Sequence, residues 1–195
     1  MHPLSNVYVW HFFRWFLEGV FGLYTKRIAL LKELGFQGTE SVLDIGCGTG
    51  QHSEITSGRY LGVDLDARYI EFARRRHPQK EFVCMDVSQL QLEGDLFDVA
   101  LMVDVIHHLS DEQARRLLAD LGRLTSKRVF FFEPVVQSPK NLVGRLLVAG
   151  DRGRFIRPRN ELLKLIENNF IVEEIRDATQ LHTEGVCVVG KICKS

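Results

Sequence analysis

Three glycines at alternate positions, Gly46, Gly48 and Gly50, follow the run Val42-Leu43-Asp44-Ile45. A short apolar run of this kind reads as a buried strand, and the glycines as a sharp turn into a helix. Such a turn brings bare backbone and a helix N-terminus up against a ligand. The dinucleotide fingerprint G-x-G-x-x-G needs its third glycine at position 51, where this chain has Gln51. Asp44, inside the strand end, is also unhelpful to a pyrophosphate and suits an aminoacyl group. Further along, His107 and His108 stand side by side in Asp104-Val105-Ile106-His107-His108-Leu109. A histidine titrates near neutrality and can take the proton of an acceptor that must lose one. Packing beside a ligand, or closing the loop, is the other reading of both rings.

These residues need a scaffold, and the pattern supplies one. β-rich runs over 41–45, 59–63, 81–85, 97–103 and 128–132 alternate with helix-patterned stretches, including 67–76 and 111–124. Asp111 reads as the N-cap of the latter helix, with Ala114, Leu117, Leu118 and Leu121 on one stripe. The tail adds a helix over 160–168 and two strands over 171–175 and 185–191. Alternation of this kind predicts an α/β fold, a doubly wound sheet covered on both faces, with ligands at the strands' carboxyl ends. Four of the runs end on or next to an acid (Asp64, Asp86, Asp104, Glu133), and the remaining one carries Asp44. The sheet gathers those carboxylates along one edge.

The stretch 42–50 resembles motif I of the class I S-adenosylmethionine (SAM)-dependent methyltransferases, whose Asp/Glu-x-Gly-x-Gly-x-Gly holds the methionine end of SAM. The resemblance covers roughly 39–194. It implies a Rossmann-like, seven-stranded, mostly parallel sheet closed by an antiparallel C-terminal hairpin, with SAM as cofactor. On this resemblance Asp44 lies near the ligand's α-amino group, and Gly46, Cys47, Gly48 and Gly50 form the turn along its methionine chain. Asp64, ending Tyr60-Leu61-Gly62-Val63-Asp64, looks like the second motif, whose carboxylate accepts from both ribose hydroxyls; Leu65 joins the cofactor-binding set. Asp66 is the substitute for Asp64, but it suits the cap of the next helix better. Asp86, in Phe82-Val83-Cys84-Met85-Asp86-Val87, resembles the third motif: its carboxylate takes the adenine amine and the Val87 N–H a ring nitrogen. A turn aspartate before Ser88 is the plainer reading. Asp104 resembles the position near the sulfonium, or else caps a helix or lines the substrate pocket. The region 97–109 is similar to the family's fourth, where small-molecule enzymes often carry His-His-Leu. The N-P-P-[YF] loop of many nucleic-acid amino-group enzymes is absent.

The remainder of the chain bounds the function. Its 195 residues, 45% hydrophobic with zero formal net charge, suit one SAM-binding domain over 39–195 preceded by an aromatic-rich segment, 1–38. Charge balance argues against nucleic acid as the default partner. Cys47, Cys84, Cys187 and Cys193 show no C-x-x-C or metal spacing, so reduced buried thiols in a cytoplasmic protein, and no metal, are expected. No repeat, low-complexity tract or cleavable signal stands out. The apolar stretch 7–24 reads as a helix with a narrow hydrophilic stripe including Arg14 and Glu18. It closes over the cofactor, makes a peripheral membrane contact, or forms a dimer contact. Between 137 and 160, six basic residues (Lys140, Arg145, Arg152, Arg154, Arg157, Arg159) face one acid, Asp151: an anion-recognition element or a solvated surface. The expected function is methyl transfer from SAM to a small lipophilic or anionic acceptor, on oxygen or carbon. A methyltransferase of protein or RNA, and a SAM-binding interaction protein without catalysis, are the alternatives.

Overall fold

In the computed structural model, residues 22–89, 96–135, 155–178 and 184–192 are described. Seven strands form one sheet in the order β3-β2-β1-β4-β5-β7-β6. They are β1 (Val42–Ile45), β2 (Tyr60–Asp64), β3 (Glu81–Cys84), β4 (Phe97–Val103), β5 (Thr125–Pro134), β6 (Phe170–Asp177) and β7 (Gly185–Ile192). The first five run parallel, and β7 pairs antiparallel with both β5 and β6. This is the predicted Rossmann-like sheet with its closing hairpin.

Both faces are covered, and for that reason β1 carries no alternation of polar and apolar residues. Val42 packs with α1 (Leu23–Glu33) and α2 (Ala67–Arg76), through Leu31, Ile70 and Ala73. Leu43 and Ile45 point the other way, toward α3 (Asp111–Leu124) and α4 (Arg159–Glu167), through Leu117, Leu121 and Leu165. β5 alternates in the same manner: Phe130 and Phe132 lie on the α1 face, Val129 and Phe131 on the α3 face.

The order reverses at β1, which lies between β2 and β4, so the crevice beyond its carboxyl end is the natural ligand position. Register brings the strand ends level. Ile45 pairs with Val63 and with Met102, Asp64 with Cys84, and Val103 with Phe132.

Several details differ from the sequence expectation. The N-cap of α3 is Ser110, not Asp111: its hydroxyl accepts from the Gln113 N–H while the Gln113 side chain accepts from the Ser110 N–H. Asp111 occupies the first turn, where a carboxylate also faces the helix dipole favourably. β5 starts at Thr125, directly after α3, because pairing of Thr125 with Phe97 extends the strand through a polar stretch with no apolar signal. Cys84 is exposed rather than buried: it ends the edge strand β3, and its thiol donates to the Leu65 carbonyl at 3.4 Å. Cys47 and Cys187 are buried free thiols. The pattern read over 7–24 lies outside the described residues up to 21; Gly22 is left-handed (φ 59°) and a helix starts at Leu23. Cys193 and the basic residues Lys140, Arg145, Arg152 and Arg154 also lie outside. Among the described residues no helix is long and apolar enough to cross a membrane, and no cluster of ligating side chains could hold a metal ion.

Candidate functional site

After β1 the chain turns sharply: the N–H groups of Gly46 and Cys47 both donate to the Val63 carbonyl, at 2.8 and 3.0 Å. Gly46, Gly48 and Gly50 all have positive φ (72°, 54° and 76°). Two of these glycines have distinct roles. A Cβ on Gly46 would lie 2.5 Å from Val105 Cγ2, so this glycine lets the turn pack against the loop after β4. A Cβ on Gly48 would meet nothing within 4 Å. Gly48 borders open space, and its N–H donates to Asp64 Oδ2 at 2.8 Å. The other oxygen of Asp64 accepts from the Asp66 N–H at 2.9 Å. Asp64 is thus locked in orientation by two backbone donors. Burial pushes its carboxyl above the ordinary aspartate value, against the lowering effect of those two N–H groups. Asp66 is the N-cap of α2, accepting from the Arg68 N–H.

Next to Asp64, Leu65 is 67% exposed, an apolar surface held at the edge of the same crevice. The Met85 N–H donates to the Asp64 carbonyl at 3.0 Å, bringing the β3 end alongside. Asp86, half-buried, accepts from the Ser88 N–H at 2.9 Å and opens a short 3-10 turn, Val87–Gln89. On the α1 face, Asp44 is buried and accepts from the Tyr60 hydroxyl at 2.6 Å, with His52 Nδ1 3.8 Å away. Burial, reinforced by Asp44, raises the Tyr60 phenol well above its usual value, so Tyr60 stays a donor. Burial likewise raises the Cys47 thiol, with Asp44 and Asp64 adding to the effect, which makes it a packing residue and not a nucleophile. Asp104 ends β4 in a left-handed conformation (φ 59°) and pairs with Arg27 of α1 at 3.3 Å. The Arg27 guanidinium lies over the Phe132 ring, 5.5 Å from its centroid.

The two histidines separate in role. His107 is 2% exposed, its Nδ1 2.9 Å from Glu133 Oε2. A carboxylate only accepts, so Nδ1 carries the proton. His108 is exposed, with its ring centroid 4.1 Å from that of His107. The short 3-10 turn Ile106–His108 that carries both is held at each end. Glu133 accepts from the N–H groups of Val105, Ile106 and His107, and the Arg157 guanidinium donates to the carbonyls of Ile106 and Leu109.

Residues 42–128 match a family model described as a methyltransferase domain. The sheet order and the glycine turn agree with that match. Residues 42–128 are thus a methyltransferase domain, of the class I SAM-dependent kind. The chain is similar to a ubiquinone biosynthesis O-methyltransferase of Coxiella burnetii, 28% identical over 160 residues, covering 72% of this chain and 66% of the relative. A probable tRNA methyltransferase 9B of Bos taurus is 35% identical over 85 residues, 43% of this chain and 18% of the relative. The chain spans only 18% to 36% of the length of the first curated relatives. Among solved structures, the magnesium protoporphyrin IX methyltransferase of Synechocystis PCC 6803 superposes with TM-score 0.69 at 18% identity, over 87% of this chain and 81% of that one.

The domain has Asp44, Gly46, Cys47, Gly48, Gly50, Asp64, Leu65, Asp86, Val87 and Asp104 at or just beyond the carboxyl ends of β1 to β4. Its residues fit SAM on their own chemistry: an open cradle at Gly48, an oriented carboxylate at Asp64, and a bare apolar surface at Leu65. The domain also uses residues that sequence reasoning did not single out. Arg27, Tyr60 and His52 surround the acids on the α1 face; Arg27 and His52 lie outside every motif, and Tyr60 only opens the run that ends at Asp64. Glu133 was legible as a strand-end acid, yet it bonds the loop after β4 and not a ligand edge. Arg157 reads in sequence as one of a basic run, but it is buried and spends its donors on main-chain carbonyls and Asp111. The hydrogen bond from Arg157 holds the Asp111 carboxyl below the usual carboxylate range. Arg159 fits the solvated reading, pairing with Asp177 at the surface.

Proposed function

We propose that this chain transfers the methyl group of SAM to a small acceptor, lipophilic or anionic, at oxygen or carbon. The observation that carries the reading is the Asp64 carboxylate, fixed by the Gly48 and Asp66 N–H groups beside the open space at Gly48. When bound, SAM supplies an electrophilic methyl on a sulfonium. In this reading Asp64 accepts from both ribose hydroxyls, a two-point contact that fixes the ligand's orientation. Leu65 covers one face of the adenine, with the Asp86 carboxylate at its amine and the Val87 N–H at a ring nitrogen. The turn Gly46-Cys47-Gly48, free of side chains toward the crevice, lies along the methionine chain, and Asp44 faces the α-amino group. Asp104 stands at the rim near the sulfur.

Such a transfer is an in-line displacement, so alignment and exclusion of water are the protein's main contribution. A base is needed only when the acceptor must lose a proton. In this reading His108, exposed on the turn after β4, does that work, and buried His107 orients it. The small-acceptor reading draws support from the ubiquinone biosynthesis relative, which spans most of this chain. Transfer to RNA, the second reading, draws on the shorter stretch shared with the tRNA methyltransferase relative. Zero formal net charge gives it no general electrostatic support.

Radiolabelled SAM incubated with four acceptor pools tests this reading: organic-extractable metabolites, small water-soluble anions, total RNA and total protein. Label in the organic-extractable or small anionic fraction is expected. Label confined to RNA or protein overturns it. Cosedimentation with vesicles tests whether residues 7–24 bring the domain to a membrane carrying such acceptors.

A further inference from the structure

We infer that Glu133 and Arg157 are positioning residues, and that together they fix the turn carrying His108 and the wall of the glycine turn. The inference rests on the reading of the Gly48 and Asp64 crevice as the SAM site. The 3-10 turn Ile106–His108 is three residues long and cannot satisfy its own backbone groups. At its amino end Glu133 Oε1 accepts from the Val105 and Ile106 N–H groups, at 2.8 and 2.7 Å. Glu133 Oε2 takes the His107 N–H at 3.3 Å and the His107 Nδ1–H at 2.9 Å. At the carboxyl end Arg157 donates to the carbonyls of Ile106 (3.1 Å), Leu109 (2.8 Å) and Phe155 (3.0 Å). It also forks onto Asp111 Oδ1, from Nε at 3.0 Å and from Nη2 at 2.7 Å. Anion at the N–H end and cation at the carbonyl end match the dipole of the turn.

Three further observations tie this clamp to the site. Glu133 is 3% exposed and Arg157 8%, so neither is open to a ligand; each acts through the loop. Val105, whose N–H Glu133 holds, is the residue that a side chain at Gly46 would strike. The clamp therefore sets the wall against which the glycine turn packs. Asp104, immediately before it, is left-handed without being glycine, a conformation that persists only where its surroundings over-determine it. The main-chain bond from the Asp104 N–H to the Phe132 carbonyl, 2.8 Å, and the Glu133 bonds that follow supply that determination.

The test uses the full chain, labelled with ¹⁵N, as wild type, Glu133→Gln and Arg157→Lys, with S-adenosylhomocysteine (SAH) as probe. A glutamine has one accepting oxygen for four donors and adds donors of its own; a lysine cannot fork. In Glu133→Gln, amide exchange at Val105, Ile106 and His107 should accelerate at least tenfold, with Leu101 and Phe131 unchanged. The protected low-field signal of the His107 ring N–H should disappear, the His108 ring resonances should shift, and SAH should bind three- to tenfold more weakly. In Arg157→Lys, exchange at Phe155, whose N–H donates to the His107 carbonyl, should accelerate with the same loss of SAH affinity. Wild-type exchange rates at Val105–His107 in a folded Glu133→Gln protein overturn the clamp. Faster exchange with unchanged His108 resonances and unchanged SAH affinity overturns its link to the site. If Glu133→Gln does not fold, Arg157→Lys decides from the other end, and a wild type lacking the protected ring signal also overturns the inference. A wild type that binds no SAH overturns the cofactor reading alone, since exchange and ring signals still judge the clamp.

Discussion

Replacing Gly48 and Gly46 separately with alanine distinguishes space kept for a ligand from space filled by the protein. Both residues are left-handed, and an L side chain there costs roughly 1–2 kcal/mol. At Gly48 the cost ends there, because the added Cβ meets nothing within 4 Å. At Gly46 the Cβ would lie 2.5 Å from Val105 Cγ2, within a loop held by Glu133. Overpacking of a fixed neighbour adds about 1–3 kcal/mol, for a total of roughly 2–5 kcal/mol. At this chain length each kcal/mol moves the melting temperature by about 2–4 °C. Gly48→Ala should therefore melt about 2–8 °C below wild type, and Gly46→Ala clearly lower still. Affinity should run the other way for its size: Gly48→Ala should lose at least about tenfold in SAH binding, roughly 1.4 kcal/mol, through a methyl group placed where the methionine chain is proposed to lie. Denaturation followed by circular dichroism and titration calorimetry with SAH measure the two quantities. Gly48→Ala binding SAH as tightly as wild type would refute the assignment of that open space to the cofactor.

Other substitutions test single links. Asp64→Asn should weaken SAH binding by about tenfold to a hundredfold, since hydrogen bonds to a charged group contribute about 1.5–3 kcal/mol; calorimetry shows it. Because burial raises the Asp64 carboxyl, wild-type SAH affinity should begin to fall on acidification at a higher pH than an ordinary aspartate would give. The sign for ligand-free stability is opposite: an acid whose folded pKa lies above its unfolded value stabilises below the latter, and that contribution is lost as pH rises through the former. Calorimetry and denaturant midpoints across one pH series read both. Tyr60→Phe removes the donor to buried Asp44 and should cost about 1.5–3 kcal/mol in denaturant unfolding, with a wild-type slope. Ser110→Ala breaks the capping box of α3 and should cost about 0.5–2 kcal/mol while leaving SAH affinity unchanged, which the same two assays check.

The parts of this domain legible in sequence are those in which local pattern and tertiary role coincide. The run Val42–Ile45, apolar on both sides of the chain, required a sheet covered twice, and glycines at alternate positions required a turn without side chains. Asp64 and Asp86 were legible because each directly follows an apolar run on neighbouring parallel strands. The cap of α3 was misplaced by one residue because Ser110 and Asp111 are both good capping residues, and only Gln113, three beyond Ser110, selects between them. Thr125 to Lys127 carried no strand signal, since pairing with β4 and not side-chain pattern makes them strand. Arg157 and Glu133, 24 residues apart in sequence, meet only through the loop between them in space. Composition marks one as part of a basic run and the other as a strand end; only the fold shows that each serves the backbone of Val105–Leu109.

Asp64 and Gly48, at the reversal point of the sheet, are proposed to grip an adenosyl ligand. A crystal structure of the chain with SAH tests this directly. Both ribose hydroxyls should lie at hydrogen-bond distance, about 2.5–3.0 Å, from the Asp64 carboxylate, with the adenine against Leu65 and the methionine chain over Gly48. SAH bound elsewhere, or with its ribose away from Asp64, would contradict it.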